Sequence, residues 1–77
     1  MEHKARDIKN IEYCIHKYTV REQIILGEIA TLRNLVELSS SFGRSSYDLE
    51  LCQRSAELAH CASVLQYLEL ILAKYEA

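Results

Sequence analysis

The fold is decided by residues 46–75, which read SYDLELCQRSAELAHCASVLQYLELILAKY and contain neither Gly nor Pro. Apolar side chains recur there at alternating steps of four and three, the spacing that one stripe of an α-helix produces. We call this the core stripe; only Arg54 interrupts its members, Tyr47, Leu51, Arg54, Leu58, Cys61, Leu65, Leu68, Leu72 and Tyr75. The spacing predicts a helix over about 46–75, roughly 45 Å long at 1.5 Å per residue.

The first half of the chain predicts another long helix, over about 3–38. Its core stripe has the same alternation, with Glu22 as the one misfit: Ile8, Ile11, Ile15, Tyr18, Glu22, Ile25, Ile29, Leu32 and Val36. The β-favouring run Tyr18-Thr19-Val20 and Gly27, read as a packing point or mild bend, both weaken a continuous helix. A bend or break near 18–27 is therefore the alternative.

Residues 39–46 are the only loop signal, because five serines and Gly43 cluster there and both residue types end helices. A loop this short makes the two helices antiparallel neighbours. The expected fold class is all-α, an antiparallel two-helix hairpin forming one domain over residues 1–77. Its core is expected to comprise Ile11, Ile15, Ile25, Ile29, Leu32, Leu51, Leu58, Cys61, Leu65 and Leu72.

More apolar side chains are present than one contact between two helices can bury. From Val64 to Leu72 only Gln66 and Glu69 are polar, so that part of the helix is apolar almost all the way round. Such a surplus favours association with another protein or with a second copy of the chain. The candidate partner-binding residues are Ile24, Leu35, Leu38, Val64, Tyr67, Leu68, Ile71 and Tyr75.

Several function classes are disfavoured by composition and motifs. The 77 residues carry a net charge of −2 without a basic cluster, which argues against nucleic-acid binding. The three cysteines and three histidines lack metal-ligand spacing, and no phosphate loop or catalytic constellation occurs. We therefore expect no enzyme activity, no catalytic or metal-binding residue and no cofactor. Neither a signal peptide nor an unbroken run of about 18 apolar residues is visible, so we expect a cytoplasmic protein without membrane insertion.

The second helix resembles a family, the small "E" co-chaperones of bacterial type III secretion needle subunits. The likeness lies mainly in residues 44–75: Tyr47 after the loop, the segment Gln53-Arg54-Ser55-Ala56-Glu57-Leu58, the small and apolar residues Ala59, Ala62, Val64, Leu65, Tyr67 and Leu68, and the closing Tyr75. The first helix matches only in being long and amphipathic. It is longer here, so the family pattern does not account for the first dozen residues.

The resemblance implies a hairpin that acts in bacterial protein transport and virulence without catalysis. In that family the hairpin binds and stabilises a chaperone built of tetratricopeptide-like repeats, and the pair keeps the needle subunit unpolymerised in the cytoplasm. The alternative is a self-associating coiled-coil hairpin, a homodimeric four-helix bundle with a structural or regulatory role. The two readings differ in what covers the surplus apolar side chains.

Overall fold

The chain folds as two long α-helices that are joined at residues 39–40, the end of the hairpin called the turn below. The structure is a computed structural model that describes the backbone of residues 2–39 and 41–77, and the side chains of residues 3–39 and 46–77. Helix α1 spans Glu2–Leu38 and helix α2 spans Ser41–Glu76. No strand occurs in the described residues, so the predicted all-α helical hairpin is confirmed.

The loop is shorter than predicted. Of the expected loop 39–46, the chain is already helical from Ser41, and residue 40 lies outside the described residues. Serine and glycine lower helix propensity by a few tenths to about 1 kcal/mol each, whereas only proline blocks a helix outright. With no proline in the chain, α2 extends backwards through the serine-rich segment.

Helix α1 runs without interruption through residues 18–27, so the alternative of a break there is wrong. Gly27 is not a contact point between the helices either, because an added Cβ would meet no atom within 4 Å. The β-favouring run at 18–20 is overridden because Tyr18 packs against the buried cluster. Tertiary packing often overrides local propensity in this way.

The core lies at mid-length and towards the turn. Ile25, Ile29, Leu32 and Cys61 are buried, and the half-buried Tyr18, Leu51 and Leu58 pack against this cluster. The other expected core residues, Ile11, Ile15, Leu65 and Leu72, are half-buried. At the open end, where the chain termini lie, the hairpin therefore does not close over its own core stripes.

The hairpin is a rod of 60 × 14 × 14 Å. Its radius of gyration is 17.5 Å, against about 11.5 Å for a compact domain of 77 residues. A rod of two helices has little interior, and most side chains stay in contact with solvent. Because of this shape, we expect any functional site to lie on the outer surface of the rod.

Candidate functional site

The candidate site is a surface, because exposed apolar side chains are the most prominent unexplained feature of the molecule. Two of the large ones are strongly exposed, Leu38 at 84% and Tyr67 at 65% of their full accessible area. The complete set among the described residues is Tyr13, Val20, Ile24, Leu26, Leu35, Leu38, Leu49, Tyr67 and Leu70. Single exposed apolar residues are ordinary, but a contiguous set marks an interaction site.

The predicted partner-binding residues divide into two groups. Ile24, Leu35, Leu38 and Tyr67 are exposed. The remaining four, Val64, Leu68, Ile71 and Tyr75, are half-buried. None of the eight is buried, so all of them keep accessible apolar surface in the hairpin.

Most of these residues lie along one long side of the rod. Arg21 of α1 and Glu57 of α2 mark that side, because their side chains form an ion pair between the helices. Residues seven positions apart lie on nearly the same face of a helix. Steps of seven from Arg21 lead to Leu35, and steps of seven from Glu57 lead to Val64 and Ile71.

The outer edge of the same side is formed by residues three positions further along each helix. These are Ile24 after Arg21, Leu38 after Leu35, and Tyr67 after Val64. We call this side the apolar flank and define it by Ile24, Leu35, Leu38, Val64, Tyr67 and Ile71. The neighbouring Leu68 and Tyr75 belong to the core stripe of α2. The opposite side is mostly polar or small, with Glu12, Thr19, Ala62 and Glu69 all exposed, although Leu26 also lies there.

Charged side chains divide the apolar flank at mid-length. Arg21 Nη2 lies 2.9 Å from Glu57 Oε2, and both side chains remain nearly half exposed. Arg54 lies 3.3 Å from Glu28 and 3.6 Å from Glu57. This network explains why arginine interrupts the core stripe of α2: its aliphatic stem can cover apolar surface while its guanidinium reaches two carboxylates. Within the described residues, Arg54 Nε and Glu28 Oε1 are buried without a hydrogen bond.

The open end is held by a contact between the two ends of the chain. The Tyr75 hydroxyl donates a hydrogen bond to Asp7 Oδ2 over 3.2 Å. The hydrogen bond to Asp7, its negative charge and partial burial raise the pKa of Tyr75 above its ordinary value. Residues 2–12 thus belong to α1, and Asp7 in this segment contacts the end of α2.

Sequence reasoning missed part of this surface. It did not find the ion pairs between the helices, because their partners are 26 to 36 residues apart in the chain. The candidate partner-binding residues also omit five exposed apolar residues, Tyr13, Val20, Leu26, Leu49 and Leu70. The sequence signal that could have identified these residues is that they are apolar and lie outside the core stripes. The stripe of small residues on α2, Cys52, Ala56, Ala59 and Ser63, is exposed as well.

The accessible surface is large for the mass of the chain. The hairpin exposes 5954 Å². A compact monomer of 8.9 kDa exposes about 4,800 Å². The excess of about 1,100 Å² is similar to the area that one partner contributes to a specific interface.

Two further features bear on the classes of ligand that this chain could bind. In the part of the chain that the structure describes, no group of three or more His, Cys, Asp or Glu side chains could hold a metal ion. Residues Ser46–Glu76 form a helix long and apolar enough to cross a membrane by length and composition, with a mean hydropathy of 1.2 over an 18-residue window. The mean hydropathy of a window can reach this value even when polar residues interrupt the window. The finding is therefore compatible with the lack of an unbroken apolar run in the sequence. One such helix is weak evidence, because core helices of soluble proteins pass the same test.

At the level of fold, the chain belongs to the class of all-α helical hairpins. Comparison with protein-family models, with curated proteins and with solved structures finds no match. Any functional conclusion therefore depends on the surface itself and on the resemblance of α2.

Proposed function

We propose that this chain is a non-catalytic co-chaperone of bacterial type III secretion. It binds and stabilises a partner chaperone built of tetratricopeptide-like repeats, and the pair keeps a needle subunit unpolymerised in the cytoplasm. The observation that carries the proposal is the apolar flank, whose six side chains are all exposed or half-buried. The resemblance of residues 44–75 to the small "E" co-chaperones supplies the identity of the partner.

A helical-repeat partner suits this surface for a physical reason. Repeat proteins of this kind stack helix pairs into an extended concave surface, and a long rod with an apolar side can lie in it. Such packing uses apolar side chains spaced by three, four and seven residues along the docked helix. Leu35 and Leu38 on α1, and Val64, Tyr67 and Ile71 on α2, have these spacings.

The activity needs no chemistry beyond binding. A protein that binds only the folded state of its partner stabilises that partner by mass action, by about 2.7 kcal/mol when its free concentration is 100 times the Kd. An apolar surface that masks polymerising helices works in the same way. The co-chaperone proposal therefore requires affinity and geometry, and no catalytic group.

The test is capture of a repeat protein by the tagged chain in its cell of origin, with two matched variants. Ile71→Asp places a charge on the apolar flank. Ala73→Asp places the same charge two residues away, about 200° around α2, at an exposed position. We expect the wild type and Ala73→Asp to retain a protein with tetratricopeptide repeats, and Ile71→Asp to lose it while staying helical by circular dichroism.

Capture must be followed by reconstitution from purified components, because retention from a lysate does not show direct binding. Absence of any repeat protein, or equal retention by both variants, would refute the proposal. The second candidate function is a homodimeric four-helix bundle with a structural or regulatory role. The excess of accessible surface favours it, since a second copy could cover that area.

A further inference from the structure

We infer that the apolar flank binds a second copy of this chain when no other partner is present. The product is a homodimeric four-helix bundle in which the two rods lie side by side. Its two-fold axis runs parallel to the helices, so that both turns are at the same end. This inference does not depend on the co-chaperone proposal.

The area of the flank fits this occupant. One long side of a rod of 60 × 14 Å has a projected area of about 840 Å². Burying the excess of about 1,100 Å² on each of two chains gives a total interface of about 2,200 Å², within the range of permanent homodimers. One interface of this size would bring the surface of each chain to the value expected for a compact protein.

The arrangement of side chains along the flank is complementary to itself. A two-fold axis parallel to the rod brings every level of one copy against the same level of the other. Because α1 of one copy lies against α2 of the other, the two copies of Leu35 face each other across the bundle axis from diagonal helices near the turn. The copies of Val64 and Ile71 do the same towards the open end. The charged level at mid-length likewise meets its own copy.

The ion pair at mid-length favours this symmetry. In the antiparallel hairpin, Arg21 of α1 and Glu57 of α2 occupy one level, because their side chains touch. The proposed axis lays α1 of one copy against α2 of the other. Arg21 of each chain therefore lies beside Glu57 of both chains, and four charges alternate in sign around the bundle. Both side chains are nearly half exposed in the single hairpin, so they remain available for a second contact.

The nearly balanced charge of the chain also favours a second copy of the chain over a strongly charged protein as the partner. The chain has 9 basic and 11 acidic residues, which leaves little repulsion between two copies. On the flank, the central arginine and glutamate cancel. A surface of this kind selects neither a strongly acidic nor a strongly basic partner.

Complementary charge reversal tests the inference on the full chain. Arg21→Glu leaves two acids at positions 21 and 57, and Glu57→Arg leaves two bases at the same positions. In a homodimer of either variant, four like charges would meet. We expect the wild type to sediment at about twice the 8.9 kDa chain mass at about 100 µM. Each variant alone should show a Kd for dimerisation raised at least about tenfold, and an equal mixture should recover the dimer.

Recovery on mixing separates contact between chains from a role within one chain, because mixing cannot restore an ion pair inside either variant. Circular dichroism of each variant reports whether the hairpin is folded. If the charge variants unfold, Ile71→Asp and Ala73→Asp serve instead, and only Ile71→Asp should become monomeric. A wild type that stays at 8.9 kDa, variants that remain dimeric, or folded variants that fail to recover on mixing would overturn the inference.

Discussion

The burial of Ile25 beside the exposure of Ile24 gives a matched pair of substitutions. Ile25 is fully buried in the cluster with Ile29 and Cys61, whereas its neighbour Ile24 keeps 50% of its accessible area. Ile25→Ala removes buried methyl groups and leaves a cavity, which costs about 2–5 kcal/mol. Ile24→Ala changes a half-exposed side chain, and we expect a loss below about 1 kcal/mol.

The comparison cancels effects that the two sites share. Alanine has a higher helix propensity than isoleucine, and this gain of a few tenths of a kcal/mol is the same at both mid-helix positions. A domain of 77 residues has a total stability of about 4–12 kcal/mol, and the small core places this hairpin near the lower limit. A loss at the upper end of that range would leave the Ile25→Ala chain partly unfolded even without denaturant.

Urea unfolding followed by circular dichroism measures the difference. With a slope near 1 kcal/mol per M urea, a loss of 2 kcal/mol lowers the midpoint by about 2 M. The experiment is run at two chain concentrations, because association adds to the apparent stability. Equal midpoints for Ile24→Ala and Ile25→Ala would show that the core is not centred where the structure places it, and the reasoning would be refuted.

Three further predictions concern single contacts. Gly27→Ala should raise the free energy of unfolding by about 0.5–1 kcal/mol in a thermal melt, since the new methyl group meets no atom; a loss would mean that something packs on Gly27. The pKa of Tyr75 is raised in the folded state, so the stability from its bond to Asp7 is present below pH 10 and is lost as pH rises through the folded-state pKa. Unfolding measured from pH 8 to 11.5 should show this loss in the wild type and a smaller one in Tyr75→Phe, and identical profiles would contradict it. Arg54→Ala should lower stability by about 1–2 kcal/mol in urea, through lost ion pairs with Glu28 and lost packing of its stem, whereas exposed Arg33→Ala should change it by less than about 0.5 kcal/mol.

Much of the architecture follows from local pattern. The alternation of three and four residues predicts both helices, and α1 ends at Leu38 as expected. The expected loop was too long, because serine and glycine clusters mark weak helix and do not by themselves end one. Of the expected core, the structure buries Ile25, Ile29, Leu32 and Cys61 and leaves the others half-buried.

The surface could be predicted less completely. Off-stripe residues such as Ile24 and Tyr67 are recognisable in the sequence, since an apolar side chain outside the core stripe has no partner within the hairpin. Whether residues of the two helices share one flank depends on how each helix is rotated about its own axis relative to the other. That rotation is visible only from a contact such as Arg21 to Glu57.

The sequence by itself determined that this protein is a pair of helices with more apolar surface than a hairpin can bury. The reason is that helical periodicity is local: hydrogen bonds join residues four apart, and stripes repeat within a few turns. Only the tertiary structure decided where the core lies, why Arg54 is tolerated in the core stripe, and which side of the rod is free. Those features depend on the register between residues up to 68 positions apart, as for Tyr75 and Asp7, and no local pattern encodes that register.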